Sequence, residues 1–361
     1  MSHVTIIPTI GNERGLIIEL DNGYLIVADE QTGAVKRSID GGVTWSTVLT
    51  LPAGLVSRGL FLASNGYILL GTIPSPPYLL YGRIYRSTDN GATFSLVNTG
   101  ESSAFWYFAE QSDGTLYAPE YSAGLQDANE LYAYNIWRSQ DNGATWSKFI
   151  SVPPQSNPGV VRDSIRHMHV LGVADNDEMY VGFGETKQTY GGYAGEVRKL
   201  ESNGTIGIKI AEDGNGWTSF AKTDDGRLLF GGDTSPVKIY EIISTSYRVN
   251  IDISTIYGSD YDTVILAMCT GRHGVVYAVT QGGGGKFSYI MVSANNGDTW
   301  FPIKYSTSVN SGTQISCNKN APSGLVYLAQ STENYVAIPD YTKQQIMDLF
   351  PSTLTIRGNE S

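Results

Sequence analysis

The stretch Arg138-Ser139-Gln140-Asp141-Asn142-Gly143-Ala144-Thr145-Trp146-Ser147 reads as a tight turn between two β-strands, and it recurs along the chain. Arg86-Ser87-Thr88-Asp89-Asn90-Gly91-Ala92-Thr93-Phe94-Ser95 and Arg37-Ser38-Ile39-Asp40-Gly41-Gly42-Val43-Thr44-Trp45-Ser46 repeat it closely. Val292-Ser293-Ala294-Asn295-Asn296-Gly297-Asp298-Thr299-Trp300 repeats it with Asn295 in place of the Asp. The shared frame is Ser-x-Asp-x-Gly-x-Thr-Trp. An Asp or Asn side chain accepts hydrogen bonds from backbone amides just ahead of it and so fixes a turn. The Gly supplies a positive φ that other residues resist. The Thr and Trp then begin the next strand, with the indole free to enter a core.

A second repeat counts the units. A turn with Gly, followed by a short apolar strand, is centred on Gly23, Gly66, Gly114, Gly226, Gly274 and Gly324, with Asp177 as the marker where Gly is missing. Successive markers are 43, 48, 63, 49, 48 and 50 residues apart. A four-stranded propeller blade takes roughly 40–50 residues. The expected fold is therefore all-β, a seven-bladed β-propeller of four-stranded antiparallel blades over residues 1–340. In the first blade the strands fall near 16–20, 24–28, 34–38 and 44–51. The seventh lacks a fourth strand of its own, which Val4–Thr9 supplies, with Thr353–Arg357 as the competing donor. Tyr341–Phe350 has partly helical apolar spacing and stops at Pro351, so a short helix and tail occupy 341–361.

The frame resembles the Asp-box, or bacterial neuraminidase, repeat of sialidase-like β-propellers, and the resemblance covers nearly the whole chain. It implies that Asp40, Asp89, Asp141 and Asn295 are structural and lie on the face opposite the active site. Sialidases clamp a carboxylate with three arginines, the first in an Arg-Ile-Pro motif. Here the matching stretch is Ile6-Ile7-Pro8, with Ile6 in the Arg position, and no triad can be assigned from the remaining arginines.

Of 361 residues, 41% are hydrophobic and 16% charged, a folded and turn-rich composition. A net charge of −11 repels phosphate backbones and excludes nucleic acid as an expected partner. No apolar run approaches the roughly 20 residues that cross a bilayer, so no membrane insertion is expected. The N-terminus lacks the basic and apolar regions of a secretory signal, which points to a cytoplasmic or virion location. Cys269 and Cys317 fall on inner strands of neighbouring blades and read as two buried free thiols, with a disulfide as the other option.

The loops at 73–81, 119–131, 152–166, 184–193 and 253–262 are long and share one face, where function is expected. Arg166, His167 and His169 enter the inner strand of blade 4 there, and alternation puts the two histidines on one side. They are the catalytic candidates; no third ligand follows at metal-binding spacing, so no metal and no cofactor is expected. Trp106, Tyr121, Tyr190 and Tyr193 are the ligand-binding candidates, because aromatic faces pack on sugar C–H faces. Tyr78, Tyr81 and Trp217 are further rings of that face. The expected function is a non-catalytic, glycan- or partner-recognising or structural propeller, such as a virion surface or tail component. The alternative is a carbohydrate-active enzyme, a glycoside hydrolase or polysaccharide lyase, with its site on the long-loop face.

Overall fold

The recurring turn folds the same way in each copy of the computed structural model. In the third copy Ser139 Oγ donates to Asp141 Oδ1 at 2.7 Å and accepts from Gly143 N at 2.9 Å. Asp141 Oδ1 then accepts from Thr145 N at 2.9 Å, and Oδ2 from Thr145 Oγ1 at 2.6 Å. Ser38, Asp40, Gly42 and Thr44 repeat this set, as do Ser87, Asp89, Gly91 and Thr93. In the fourth copy Asn295 Oδ1 alone accepts from both Thr299 N and Thr299 Oγ1. The turn needs two successive residues in the left-handed region, not one: Asn90, Asn142 and Asn296 have φ of 56°, 59° and 58°, each followed by the frame's Gly. Asn tolerates that region better than other residues with a side chain.

The structure describes residues 15–75, 81–101, 104–121, 134–152, 164–165, 168–187, 193–213, 216–233, 237–252, 263–282, 287–309, 312–330 and 336–350. These form a seven-bladed β-propeller of antiparallel sheets with one short helix. By compactness the chain divides into two units, and the division runs through the first blade.

One unit comprises Ile26–Arg37 and Trp45–Trp217. The first blade is β1 (Leu16–Glu19), β2 (Leu25–Ala28), β3 (Ala34–Ser38) and β4 (Ser46–Thr50), of which β4 and all but one residue each of β2 and β3 lie in this unit. The second is β5 (Leu55–Leu62), β6 (Ile68–Pro74), β7 (Arg83–Ser87) and β8 (Ser95–Thr99). The third has a split inner strand, β9 (Ala104–Phe105) and β10 (Ala109–Glu110), then β11 (Leu116–Tyr121), β12 (Tyr134–Ser139) and β13 (Ser147–Val152). The fourth is split likewise, β14 (Ser164–Ile165) and β15 (Met168–Val173), then β16 (Met179–Lys187), β17 (Tyr193–Leu200) and β18 (Ile206–Asp213). Blade packs on blade through apolar inner faces; Leu69, Ile84, Phe105, Phe108, Leu116 and Trp137 form one such layer. Fully burying a side chain such as Phe105 stabilises by about 2–3 kcal/mol. Glycine permits the closest approach: a Cβ on Gly71 would stand 2.2 Å from Phe105 O.

The other unit comprises residues 1–25, 38–44 and Thr218–Ser361. Its fifth blade follows β19 (Trp217–Lys222) with β20 (Leu228–Gly232), β21 (Lys238–Ile243) and β22 (Ser246–Asp252). The sixth is β23 (Thr263–Thr270), β24 (Val276–Gly282), β25 (Phe287–Ser293) and β26 (Phe301–Val309). The seventh shows β27 (Gly312–Cys317), β28 (Leu325–Gln330) and β29 (Val336–Pro339). Both candidate donors of its fourth strand, at 4–9 and 353–357, lie outside the described residues. Helix α1 (Lys343–Leu349) is capped by Thr342, whose side chain accepts from Gln345 N in a capping box.

Cys269 and Cys317 are not free thiols. They form a disulfide, with Cα atoms 6.0 Å apart, on β23 and β27 of adjacent blades. Inner strands of neighbouring blades bring the two side chains face to face, and that proximity overrides the ordinary packing role of a small apolar residue.

Candidate functional site

Arg58, Trp106 and His169 each stand eight residues before the turn residue of their blade, Gly66, Gly114 and Asp177. They thus hold one structural position on three successive inner strands. At that position the strands are irregular. In β5 the register shifts between Ser57 and Gly59, leaving Arg58 as the extra residue. In β15 it shifts between Met168 and Val170, leaving His169 extra. In the third blade the inner strand breaks altogether between Phe105 and Ala109, at Trp106. A bulge re-aims a side chain that regular alternation would commit to one face.

Trp106 and His169 meet Tyr121, the last residue of β11, and Arg58 joins through Trp106. The Trp106 and Tyr121 rings stack with centroids 3.8 Å apart and planes 13° from parallel. His169 lies 5.4 Å from Tyr121 and 5.8 Å from Trp106, at 20° to each. The Arg58 guanidinium sits over the Trp106 ring at 4.6 Å, a cation–π contact. Arg58 Nη1 also donates to Glu30 Oε1 at 2.9 Å. Glu30 comes from the β2–β3 turn of the first blade, where Asp29 Oδ1 accepts from Gln31 N and Thr32 N. Gly33 closes that turn at φ 69°, and its Cβ-free position lets the backbone of Leu55 come close. Every member of this constellation belongs to the same unit.

Burial separates the roles. Trp106, Tyr121 and Arg58 are partly exposed, whereas His169 is 3% exposed. Burial drives the His169 pKa down from 6.5 to about 3, against a smaller upward pull from its hydrogen bond with the Trp217 backbone. The imidazole is therefore neutral at ordinary pH and unsuited to donate a proton. Glu120, next to Tyr121 in β11, is fully buried, and alternation points it to the other side. It accepts from Glu101 N at 2.6 Å and from Asn135 Nδ2, which occupies both of its oxygens.

Of the residues predicted from sequence, Trp106, Tyr121 and His169 are brought together. Arg166, His167, Tyr190 and Tyr78 lie outside the described residues, and only the backbone of Tyr193, at the start of β17, is described. Tyr81 is half exposed, and Trp217 is fully buried beside Gly182. Arg58 and Glu30 are absent from the predicted set. The offset of eight residues from the turn marker would have found Arg58; nothing in the sequence singles out Glu30. Among the described residues no group of three or more His, Cys, Asp or Glu is placed to hold a metal ion. None of their helices is long and apolar enough to cross a membrane.

No family model matches the chain. It is 27% identical to the xyloglucanase Xgh74A of Acetivibrio thermocellus over 197 residues, 47% of this chain and 21% of that protein. It is 28% identical to a xyloglucanase of Paenibacillus sp over 223 residues, 52% of this chain and 20% of that protein. The chain thus matches about a fifth of the length of these relatives. Among solved structures, the GH74 xyloglucanase from Xanthomonas campestris superposes with a TM-score of 0.64 at 15% identity, covering 92% of this chain and 53% of that one. That likeness shows the propeller fold.

Proposed function

We propose that the chain is a carbohydrate-active enzyme of the glycoside hydrolase class, acting on a polysaccharide at the Arg58–Trp106–Tyr121–His169 cluster. The observation that carries this reading is the convergence of three rings and a guanidinium from three successive blades, with Arg58 and His169 at bulges and Trp106 at a strand break. Such a surface offers apolar ring area to sugar C–H faces and N–H donors to hydroxyls. The partial likeness to two xyloglucanases supports catalysis over a purely structural role. In this reading Trp106 and Tyr121 hold the glycan, Arg58 orients it, and the neutral His169 packs behind them and fixes the stack.

A second reading is recognition without turnover. It is favoured by the neutral state of His169 and by Glu120 having both oxygens engaged, since glycoside hydrolysis ordinarily takes two working carboxyl groups. One assay separates the two. Purified protein is incubated with xyloglucan, cellulose-type β-glucan, arabinan, a sialoside and an acidic polysaccharide, and new reducing ends are counted while binding is measured by affinity electrophoresis. Release from a plant polysaccharide, lowered at least about tenfold in Trp106→Ala, is the expected result. Binding without release supports the second reading; neither binding nor release removes both.

A further inference from the structure

We infer that the Glu30–Arg58 pair is a specificity-determining subsite that selects uncharged sugar units and rejects uronic acids. The inference rests on reading the cluster as a glycan site and names its substrate class. Arg58 is the only cation over the Trp106–Tyr121 stack among the described residues, and a third of its side chain is exposed. A guanidinium has five N–H donors, and Nη1 is committed to Glu30, so donors remain for a ligand. A free guanidinium in such a place would favour a carboxylate, which it grips with two parallel hydrogen bonds.

Glu30 changes that preference. Its side chain is 9% exposed and ion-paired to Arg58 at 2.9 Å. The other oxygen, Oε2, is buried with no hydrogen-bond partner among the described residues. A buried carboxylate must be balanced, and Arg58 is what balances it here. The pair is therefore neutral overall while Arg58 keeps its donors, which suits hydroxyl groups. A uronate brought to the same place would find no net positive charge to offset the desolvation of its carboxylate, because Glu30 already engages Arg58. The overall charge of −11 works in the same direction.

The test measures binding of cello-oligosaccharides and oligogalacturonates by calorimetry to wild type, Glu30→Gln and Arg58→Gln, each checked for an intact melting transition. The wild type is expected to prefer the neutral series. Glu30→Gln is expected to shift the acidic-to-neutral affinity ratio upward by about tenfold, with a new dependence on salt. Arg58→Gln keeps an amide donor but leaves Glu30 unbalanced, so it is expected to shift the ratio the opposite way. If Glu30→Gln does not fold, the sign of the Arg58→Gln shift decides alone. Neutral binding with an unmoved ratio, or a shift of the same sign in both variants, overturns this inference and leaves the glycan site standing. Failure of the wild type to bind either series overturns both.

Discussion

At the scale of single residues, the aspartates of the recurring turn do local structural work that can be titrated. The Thr145 hydroxyl, the Thr145 amide and Ser139 hold the Asp141 carboxyl at about 2, and Thr44 and Ser38 do the same for Asp40. A carboxyl held below its unfolded value stabilises fully above about pH 4 and loses that contribution as pH falls through 2. His169 acts earlier. Its folded pKa of about 3 lies below the ordinary 6.5, so its burial becomes progressively unfavourable as pH drops from 6.5 toward 3. We expect Asp141→Ala to cost about 1–2 kcal/mol at pH 7, the range for a lost capping side chain. Asp141→Asn should cost less, because Asn295 already closes the equivalent turn with one oxygen. It should also flatten the stability loss between pH 4 and 2. Urea melts of the three proteins across that range check both points; equal costs for Ala and Asn would show that the hydrogen bonds to Thr145 contribute nothing.

At the scale of elements, the repeat frame made the turns and the strand order legible, because turn chemistry is local and written in adjacent residues. The site was legible only in part. Alternation in a strand turns neighbouring residues such as Phe105 and Trp106 to opposite sides, and Phe105 is fully buried while Trp106 is not. The bulges at Arg58 and His169 carry no signal of their own in the chain, since the extra residue shows only once two strands are paired. Glu30 was illegible for the same reason: its role depends on a partner 28 residues away. The glycines explain how the third blade can lean on the second. Gly59 and Gly71 are paired across β5 and β6; Gly59 faces the backbone carbonyls of Phe105 and Trp106, and Gly71 that of Phe105. Gly71→Ala puts a methyl group 2.2 Å from Phe105 O, where backbone must move. A destabilisation of about 1–3 kcal/mol is expected for such overpacking. Because the displaced backbone carries Trp106, glycan affinity should fall as well. Gly66→Ala is the contrast: it places a side chain on a backbone with φ of 82° but meets no neighbour within 4 Å, so it should lower stability and leave affinity unchanged. Calorimetric melts and affinity measured on both variants would expose an error if Gly71→Ala bound as the wild type does.

At the scale of the whole chain, contacts between distant stretches decide stability, and these were the least legible. Asn318 Nδ2 donates to Glu19 O at 2.8 Å, and Ser323 N to Glu19 Oε1 at 3.1 Å, tying the seventh blade to the first across some 300 residues of sequence. The disulfide is the covalent counterpart between the sixth and seventh. Two isolated cysteines 48 residues apart say nothing in the sequence about which neighbour each one faces, so the ordinary packing of Cys as a small apolar residue favours free thiols there. Its energetic effect lies mainly in the unfolded chain, where a closed loop of that length removes conformational freedom worth about 4 kcal/mol. Replacing both cysteines by Ala should therefore lower the unfolding free energy by about 3–4 kcal/mol, less whatever strain the link carries. Adding reductant to the wild type should move its denaturant midpoint to that of the double variant and leave the variant itself unmoved. The loss should appear as faster unfolding if the sixth and seventh blades pair late, and as slower folding if they pair early. A wild-type protein that takes up two equivalents of a thiol reagent in denaturant without reductant would show that the bond does not form.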